Sequence, residues 1–168
     1  MMDIFTIGYE GADLNDFIGT LLYAGVDEIV DVRELPTSRR KGFSKTALRT
    51  ALEDAGITYR HERRLGSPRD IRHRLYKDHD YSAFFKSYNE YLNTQEEALT
   101  SITETSANSI ALLCYERDYK TCHRSSVAGA LGRLVGVKPK HIGVQSDAQR
   151  KAYEKKSMRT RQGISATK

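Results

Sequence analysis

The amino-acid sequence predicts an α/β protein: a single-domain, open, mostly parallel sheet of about five strands with helices on both faces. Short apolar runs alternate with helical patterns along most of the 168 residues. The runs are continuously apolar, as in "SIALLC" (Ser109 to Cys114), which is typical of parallel strands buried on both sides. Neither an internal repeat nor a linker interrupts the pattern, so one domain accounts for it.

Five segments are expected to be strands, because each is a short apolar run bounded by polar residues or glycine. They are "IFTIG" (4–8), "EIVDV" (28–32), "ITYRH" (57–61), "SIALLC" (109–114) and "KHIGVQ" (140–145).

The segments between these strands carry apolar residues at helical spacing. Asp13 is a suitable N-cap for the first helix and Gly25 a suitable end, while Ser44 is a suitable N-cap for the second. Two further helices are expected over about residues 81–103 and 124–135.

The composition indicates an intracellular protein. No apolar run approaches the roughly 18 residues of a membrane span, and "MMDIFTIGYE" lacks the pattern of a signal peptide. Two cysteines without a secretion signal favour a reducing compartment. We therefore expect a cytoplasmic location and no membrane partner.

The positive charge is concentrated in three segments. The net charge is +5, and two dense basic segments, "RELPTSRRKGFSK" (33–45) and "RHERRLGSPRDIRHR" (60–74), otherwise resemble loops. The third is residues 147–168, which we expect to form a basic C-terminal tail or helical appendage beside an α/β domain of residues 1–146. This distribution favours an anionic partner, namely nucleic acid or a nucleotide.

The polar residues with chemical potential follow predicted strands. Tyr9 comes after the first strand, Asp31 and Arg33 end the second, and Cys114 and Glu116 end the fourth. Because parallel strands share one carboxyl edge, where open α/β sheets bind ligands, these residues are expected at a single site.

The motifs "TIGYEG", "DVRELPTSRRKGFSK" and "CYERDYKTCHR", with a closing "HI", together resemble the DUF488 family of bacterial and archaeal proteins. The similarity runs from Thr6 to Ile142. It implies a compact α/β domain whose shared polar residues gather at one site, but no particular reaction. The positions that match the family pattern are Gly8, Asp31, Arg33, Pro36, Ser38, Arg39, Cys114, Glu116, Cys122, His123 and Arg124.

Three residues are candidate catalytic groups. Glu116 and Asp31 are carboxylates at strand ends, suited to act as nucleophile or general base in glycosidic-bond hydrolysis. The alternative is that Asp31–Arg124 or Glu116–Arg33 ion pairs only organise the loops. His123 is a candidate general acid, or it hydrogen-bonds a loop carbonyl.

Five residues are candidates for binding phosphate or nucleic acid. Arg33, Arg39 and Arg124 supply guanidinium groups, and Arg124 also stands at a predicted helix start that favours anions. Ser38 lies in the same basic segment. Tyr9 is expected to stack on a base at the rim of the site.

Cys114 and Cys122 suggest two alternatives, a catalytic thiol and a metal site. Cys114 at a strand end, followed by Arg124 and a helix, is similar to a rhodanese-type sulfurtransferase, in which the cysteine is the nucleophile. The loop between them is longer than in that family, and Lys120 stands where a phosphatase pattern requires arginine. A metal site from Cys114, Cys122 and His123 lacks the paired short spacings of structural zinc sites. The sequence therefore predicts no cofactor and assigns no metal, with Cys114 and Cys122 kept as possible thiol or metal residues. The remaining alternative is that both cysteines are small buried hydrophobic residues.

The function predicted from the sequence is a hydrolase acting on a nucleotide or nucleic acid, most simply DNA. N-glycosidic bond cleavage fits better than two-metal phosphodiester cleavage, because the carboxylates are few and surrounded by arginine. A non-catalytic nucleic-acid-binding module and a rhodanese-like sulfurtransferase remain as alternatives.

Overall fold

The computed structural model describes residues 2–147 and 150–151. The strands are β1 (Asp3–Gly8), β2 (Glu28–Asp31), β3 (Thr58–His61), β4 (Ser109–Cys114) and β5 (Lys140–His141). The α-helices are α1 (Leu14–Ala24), α2 (Lys45–Asp54), α3 (Arg69–Asp78), α4 (Tyr81–Leu92), α5 (Glu96–Thr103) and α6 (Arg124–Val135). Short 3₁₀ helices cover Arg63–Leu65 and Tyr119–Thr121.

The strands form one parallel sheet in the order β3-β2-β4-β1-β5. This arrangement confirms the predicted open α/β fold. Strand β4 lies between β1 and β2, so the carboxyl ends of these three strands are adjacent at one edge of the sheet.

The core consists of two apolar layers, one on each face of the sheet. Along β4, Ile110 and Leu112 pack in the layer that contains α4, α5 and α6, whereas Ala111 and Leu113 pack in the layer of α1 and α2. Successive strand residues point to opposite faces. Both faces of β4 are therefore dry, which explains why its sequence is continuously apolar.

Helix α1 begins and ends at the expected residues. The Asp13 carboxylate accepts hydrogen bonds from backbone amides of the first turn, and Gly25 takes the left-handed conformation at the C-cap, with φ 71°. Ser44 precedes α2 as expected, but its side chain does not cap that helix. It bonds the backbone of Ser38 instead, which ties down the basic segment after β2.

Three expectations about the elements need correction. Helix α3 occupies part of the segment 60–74 that resembles a loop, because Ile71 and Leu75 supply helical spacing that the surrounding basic residues obscure. The helical stretch 81–103 is two helices, since the Thr94 hydroxyl bonds the Tyr91 carbonyl and competes with the helical pattern. Strand β5 is restricted to Lys140–His141.

The proposed appendage at 147–168 falls largely on residues outside those the structure describes. Arg150, which is described, donates hydrogen bonds to the backbone carbonyls of Asp16 and Gln145. Among the described residues, none of the helices combines the length and apolar character needed to cross a bilayer.

Candidate functional site

A pocket of about 690 Å³ lies beyond the carboxyl ends of β1, β2 and β4. Its walls come from the chain that follows these three strands, and α3 with its neighbours supplies the remaining side. The expected convergence of strand ends therefore produces a concave surface of a size suited to a small ligand. The polar residues at the end of β2 and those at the end of β4 differ in their contacts.

The end of β2 is a closed ion-pair network. Asp31 is 0% exposed and Arg33 is 5% exposed. The Arg33 guanidinium donates to both Asp31 oxygens, at 2.8 and 2.6 Å, and also to the Tyr9 hydroxyl and the Phe43 carbonyl. The Tyr59 hydroxyl donates to Asp31 at 2.6 Å. Burial and the neighbouring Asp31 carboxylate raise the pKa of Tyr59, so it remains a donor.

This network changes the expected roles of two residues. Asp31 pairs with Arg33, not with Arg124, and its carboxylate does not line the pocket. Arg33 reaches the pocket wall, but its guanidinium is occupied by protein partners. The contacts therefore favour an organising role for both residues over catalysis by Asp31 or phosphate binding by Arg33.

Tyr9 is also placed differently from the expectation. It is buried, and its ring stacks on Phe43 with the centroids 4.5 Å apart. Tyr115 packs edge-on against it at 5.3 Å. Tyr9 therefore borders the pocket, but its ring is packed in the core, whereas Tyr115, 47% exposed, lies at the rim where stacking on a base was expected.

Arg124 is a clamp for the loop after β4. It is 1% exposed and donates to the backbone carbonyls of Glu116 and Arg117, at 2.6 and 3.2 Å. Since its guanidinium is turned toward loop carbonyls, it is not placed to hold phosphate. In a rhodanese-type site, the backbone amides of this loop would have to face an anion. Here the loop instead turns its carbonyls toward Arg124, which differs from that arrangement.

The end of β4 brings a carboxylate, a thiol and an imidazole together. Glu116, Cys114 and His123 all line the pocket. The Cys114 thiol donates to the Glu116 carboxylate at 3.1 Å, and Cys114 Sγ lies 3.9 Å from His123 Nδ1. Among the described residues, Glu116 forms no ion pair with lysine or arginine, so its carboxylate remains available on the pocket side.

Glu116 is held in its ionised form. Burial acts to raise the pKa of Glu116, but hydrogen bonds from the Cys114 and Cys122 thiols and the nearby His123 outweigh it, leaving the pKa below its usual value. A carboxylate of this kind accepts protons or attacks an electrophile; it does not act as a general acid at neutral pH.

His123 is oriented by a backbone carbonyl. Its Nε2 lies 2.8 Å from the Val32 oxygen, which is the hydrogen bond to a loop carbonyl that the sequence left as an alternative. Because a carbonyl only accepts, Nε2 carries the proton and Nδ1 faces Cys114 and Cys122. Burial lowers the pKa of His123, but the Cys122 thiol, the Val32 carbonyl and the nearby Glu116 carboxylate raise it overall. In this orientation, His123 is not directed toward a leaving group, as a general acid would have to be.

Cys122 completes a group of possible metal ligands. It is 1% exposed, and its Sγ lies 4.0 Å from His123 Nδ1. Both cysteines are free thiols. The ligand atoms of Cys114, Cys122 and His123 all lie within 4.8 Å of one another.

A basic rim borders the pocket on the side of the segment after β2. Arg39 and Arg40 are exposed there; Arg40 bonds the Ala12 carbonyl through Nε, and Arg39 has no polar partner among the described residues. The Ser38 hydroxyl accepts from the Arg40 amide at 3.1 Å. Of the three predicted arginines, Arg39 is therefore the one that remains free to meet an anion.

The sequence reasoning missed the side of the pocket formed by α3. Arg72 lines it and pairs with Glu34 at 2.9 Å, and Tyr76, 64% exposed, projects from the same helix. Ser67 lies just before α3, and its buried hydroxyl has no partner within the described chain. The i, i+4 pair Ile71 and Leu75 was the signal that would have located this helix.

The structure thus defines an open α/β protein with a pocket at the carboxyl edge of its sheet, which is where proteins of this class commonly bind ligands. The chain belongs to the DUF488 family: the family model, described as a domain of unknown function, matches residues 13–131. This confirms the resemblance carried by the sequence motifs. Neither curated proteins nor solved structures gave a match to the chain.

Proposed function

We propose that the protein is a hydrolase that cleaves the N-glycosidic bond of a nucleotide or nucleic acid, with Glu116 as the catalytic carboxylate. The observation that carries the proposal is the position of Glu116: its side chain lines the pocket wall, and it has no lysine or arginine partner among the described residues. An ion-paired carboxylate, such as Asp31, would have to break its pair before it could act.

The proposed reaction follows from the chemistry of the Glu116 carboxylate, which can accept a proton. Its carboxylate takes a proton from water while the water oxygen bonds to C1′ of the sugar. The C1′–N bond breaks, and the base leaves with a proton from solvent. The negative charge beside C1′ also stabilises the oxocarbenium-like transition state. One carboxylate suffices for this displacement, so neither Asp31 nor His123 is needed as a second catalytic group.

The nucleotide assignment rests on the rim of the pocket. Arg39 and Arg40 supply guanidinium groups, which match the geometry of phosphate oxygens. Tyr76 and Tyr115 are both exposed at the pocket and offer flat faces on which a base can stack. Ser67 also lines the pocket, and its buried hydroxyl has no partner within the described chain. If the base belongs to a duplex, it must first leave the stack.

A cleavage screen tests this proposal. Purified protein is incubated with end-labelled single- and double-stranded DNA and RNA, some with modified bases, and half of each reaction is treated with hot alkali. We expect breaks in DNA only after alkali. Glu116→Gln should lower their rate by about a hundredfold or more while sparing binding, whereas Glu104→Gln, an exposed glutamate after α5, should keep wild-type activity.

Other results of the same screen would favour other functions. Breaks without alkali would contradict N-glycosidic cleavage and indicate a nuclease. Salt-sensitive retention of nucleic acid without breaks would favour the binding module, in which Glu116 only organises the loop. Activity toward a sulfur donor that disappears in Cys114→Ser would favour the sulfurtransferase.

A further inference from the structure

We propose that Cys114, Cys122 and His123 bind one divalent metal ion of the Zn²⁺ class, in a site whose open side faces the pocket. The proposal concerns metal binding and does not depend on the proposed hydrolase function. It differs from the expectation drawn from sequence spacing, which gave no second ligand pair and hence no metal.

The first support is the distance between the ligand atoms. His123 Nδ1 lies 3.9 Å from Cys114 Sγ and 4.0 Å from Cys122 Sγ, and all three atoms lie within 4.8 Å of one another. In a tetrahedral site with Zn–S of about 2.3 Å and Zn–N of about 2.0 Å, such atoms stand roughly 3.5 Å apart. Small movements of these side chains are enough to close them around one ion.

The second support is the orientation of the imidazole. Metal-binding histidines usually donate their other ring N–H to a carbonyl or carboxylate, which fixes the ligating nitrogen. His123 does this with the Val32 carbonyl at 2.8 Å. The proton therefore stays on Nε2, and the lone pair of Nδ1 points at the two sulfur atoms.

The third support is the rigidity of the backbone that carries the ligands. Cys114 ends β4, a strand paired on both sides by β1 and β2. His123 is the N-cap residue of α6, directly after Cys122. Arg124 binds the carbonyls of Glu116 and Arg117 and so fixes the loop that brings the cysteines together. The backbone that carries the ligands is therefore fixed, and only their side chains have to move to meet an ion.

The fourth position of the site is on the pocket side. Cys114 and His123 line the pocket, while Cys122 lies behind them and is almost fully buried. Three protein ligands with one open position are typical of catalytic rather than structural zinc sites. Glu116 Oε2, 3.1 Å from Cys114 Sγ, stands beside that position, where it can hold a metal-bound water.

The ligand set of two sulfur atoms and one imidazole nitrogen indicates which class of metal the site binds. Thiolate and imidazole ligands suit Zn²⁺, whereas Mg²⁺ and Ca²⁺ require oxygen ligands. Co²⁺ is therefore a suitable spectroscopic substitute, since its thiolate complexes absorb in the near ultraviolet.

The test uses the full chain, purified under a phosphine reductant that prevents a disulfide between the cysteines. We expect elemental analysis to find about one Zn²⁺ per chain. After removal of that metal by a chelator, titration with Co²⁺ should produce a thiolate-to-metal charge-transfer band. Absence of both signals from folded wild-type protein would overturn the proposal, whatever the variants show.

Matched variants assign the ligands. Cys114→Ser and Cys122→Ser should each weaken Co²⁺ binding more than tenfold and reduce the charge-transfer band, whereas His73→Gln, at an exposed histidine on α3, should leave both unchanged. Thermal melting of each variant separates lost ligands from lost folding. A folded Cys122→Ser chain that binds Co²⁺ as tightly as wild type would contradict the site. Because these assays contain no nucleic acid, their outcome is separate from that of the cleavage screen.

Discussion

Strands β2 and β4 are neighbours in the sheet, and each presents a carboxylate at its carboxyl end, but the two carboxylates have opposite surroundings. Asp31 is completely buried and receives hydrogen bonds from Arg33 and Tyr59. Glu116 is half-buried, borders the pocket and accepts a hydrogen bond from a thiol. Removal of an acid that is buried and paired within the fold destabilises the protein, whereas an acid without a cationic partner can serve a ligand.

The largest expected effect comes from the same amide substitution at each strand end. Asp31→Asn leaves the buried Arg33 without a counter-charge and should lower the free energy of unfolding by about 3–5 kcal/mol. Glu116→Gln should change it by less than about 1 kcal/mol. Urea unfolding of both variants measures the difference. Equal losses would mean that Glu116 is as structural as Asp31.

The next effect concerns the close approach of β1 to the loop after β4. A Cβ at Gly8 would collide with the Glu116 carbonyl and lie 3.2 Å from the Arg124 guanidinium. Gly8→Ala should therefore destabilise the fold by about 1–3 kcal/mol and displace Glu116, with loss of activity. Gly143→Ala is the control, since a Cβ there meets nothing within 4 Å. Unaltered stability and activity in Gly8→Ala would show that the loop is not packed this closely.

A smaller loss of stability is expected from a change at Tyr59, which belongs to the ion-pair network at the end of β2. Tyr59→Phe removes one hydrogen bond to the Asp31 carboxylate and should lower the free energy of unfolding by about 1–2 kcal/mol. Tyr81→Phe, at an exposed tyrosine that begins α4, should have no measurable effect. Thermal unfolding of the two variants gives the comparison. A neutral Tyr59→Phe would indicate that Arg33 alone satisfies Asp31.

The smallest effect on stability is expected at the basic rim. Arg39→Ala should leave the unfolding curve unchanged but lower the slope of log affinity for nucleic acid against log salt by about one. Arg133→Ala, at an exposed arginine in the last turn of α6, removes the same charge away from the pocket. Identical slopes for both variants would contradict binding of phosphate at this rim.

The sequence identified the strand ends correctly because parallel strands carry their own signal. "SIALLC" is apolar at every position but the first, which indicates burial on both faces, and Asp13 and Gly25 mark the limits of α1 through local backbone chemistry. By contrast, α3 was missed because its apolar positions, Ile71 and Leu75, are few among basic residues. A short amphipathic pattern of this kind is stabilised mainly by what it packs against.

The sequence by itself determined the fold class, the parallel strand ends that meet at one edge, and the residues that gather there. The tertiary structure decided which of those residues are free. Asp31 pairs with Arg33, and Arg124 bonds backbone carbonyls. Glu116, Cys114 and His123 line the pocket, and Cys122 lies behind them. Periodicity and capping act within a few residues, so they can be recognised along the chain. The partner of a charged side chain depends on atoms brought together from distant segments, and those positions exist only after folding.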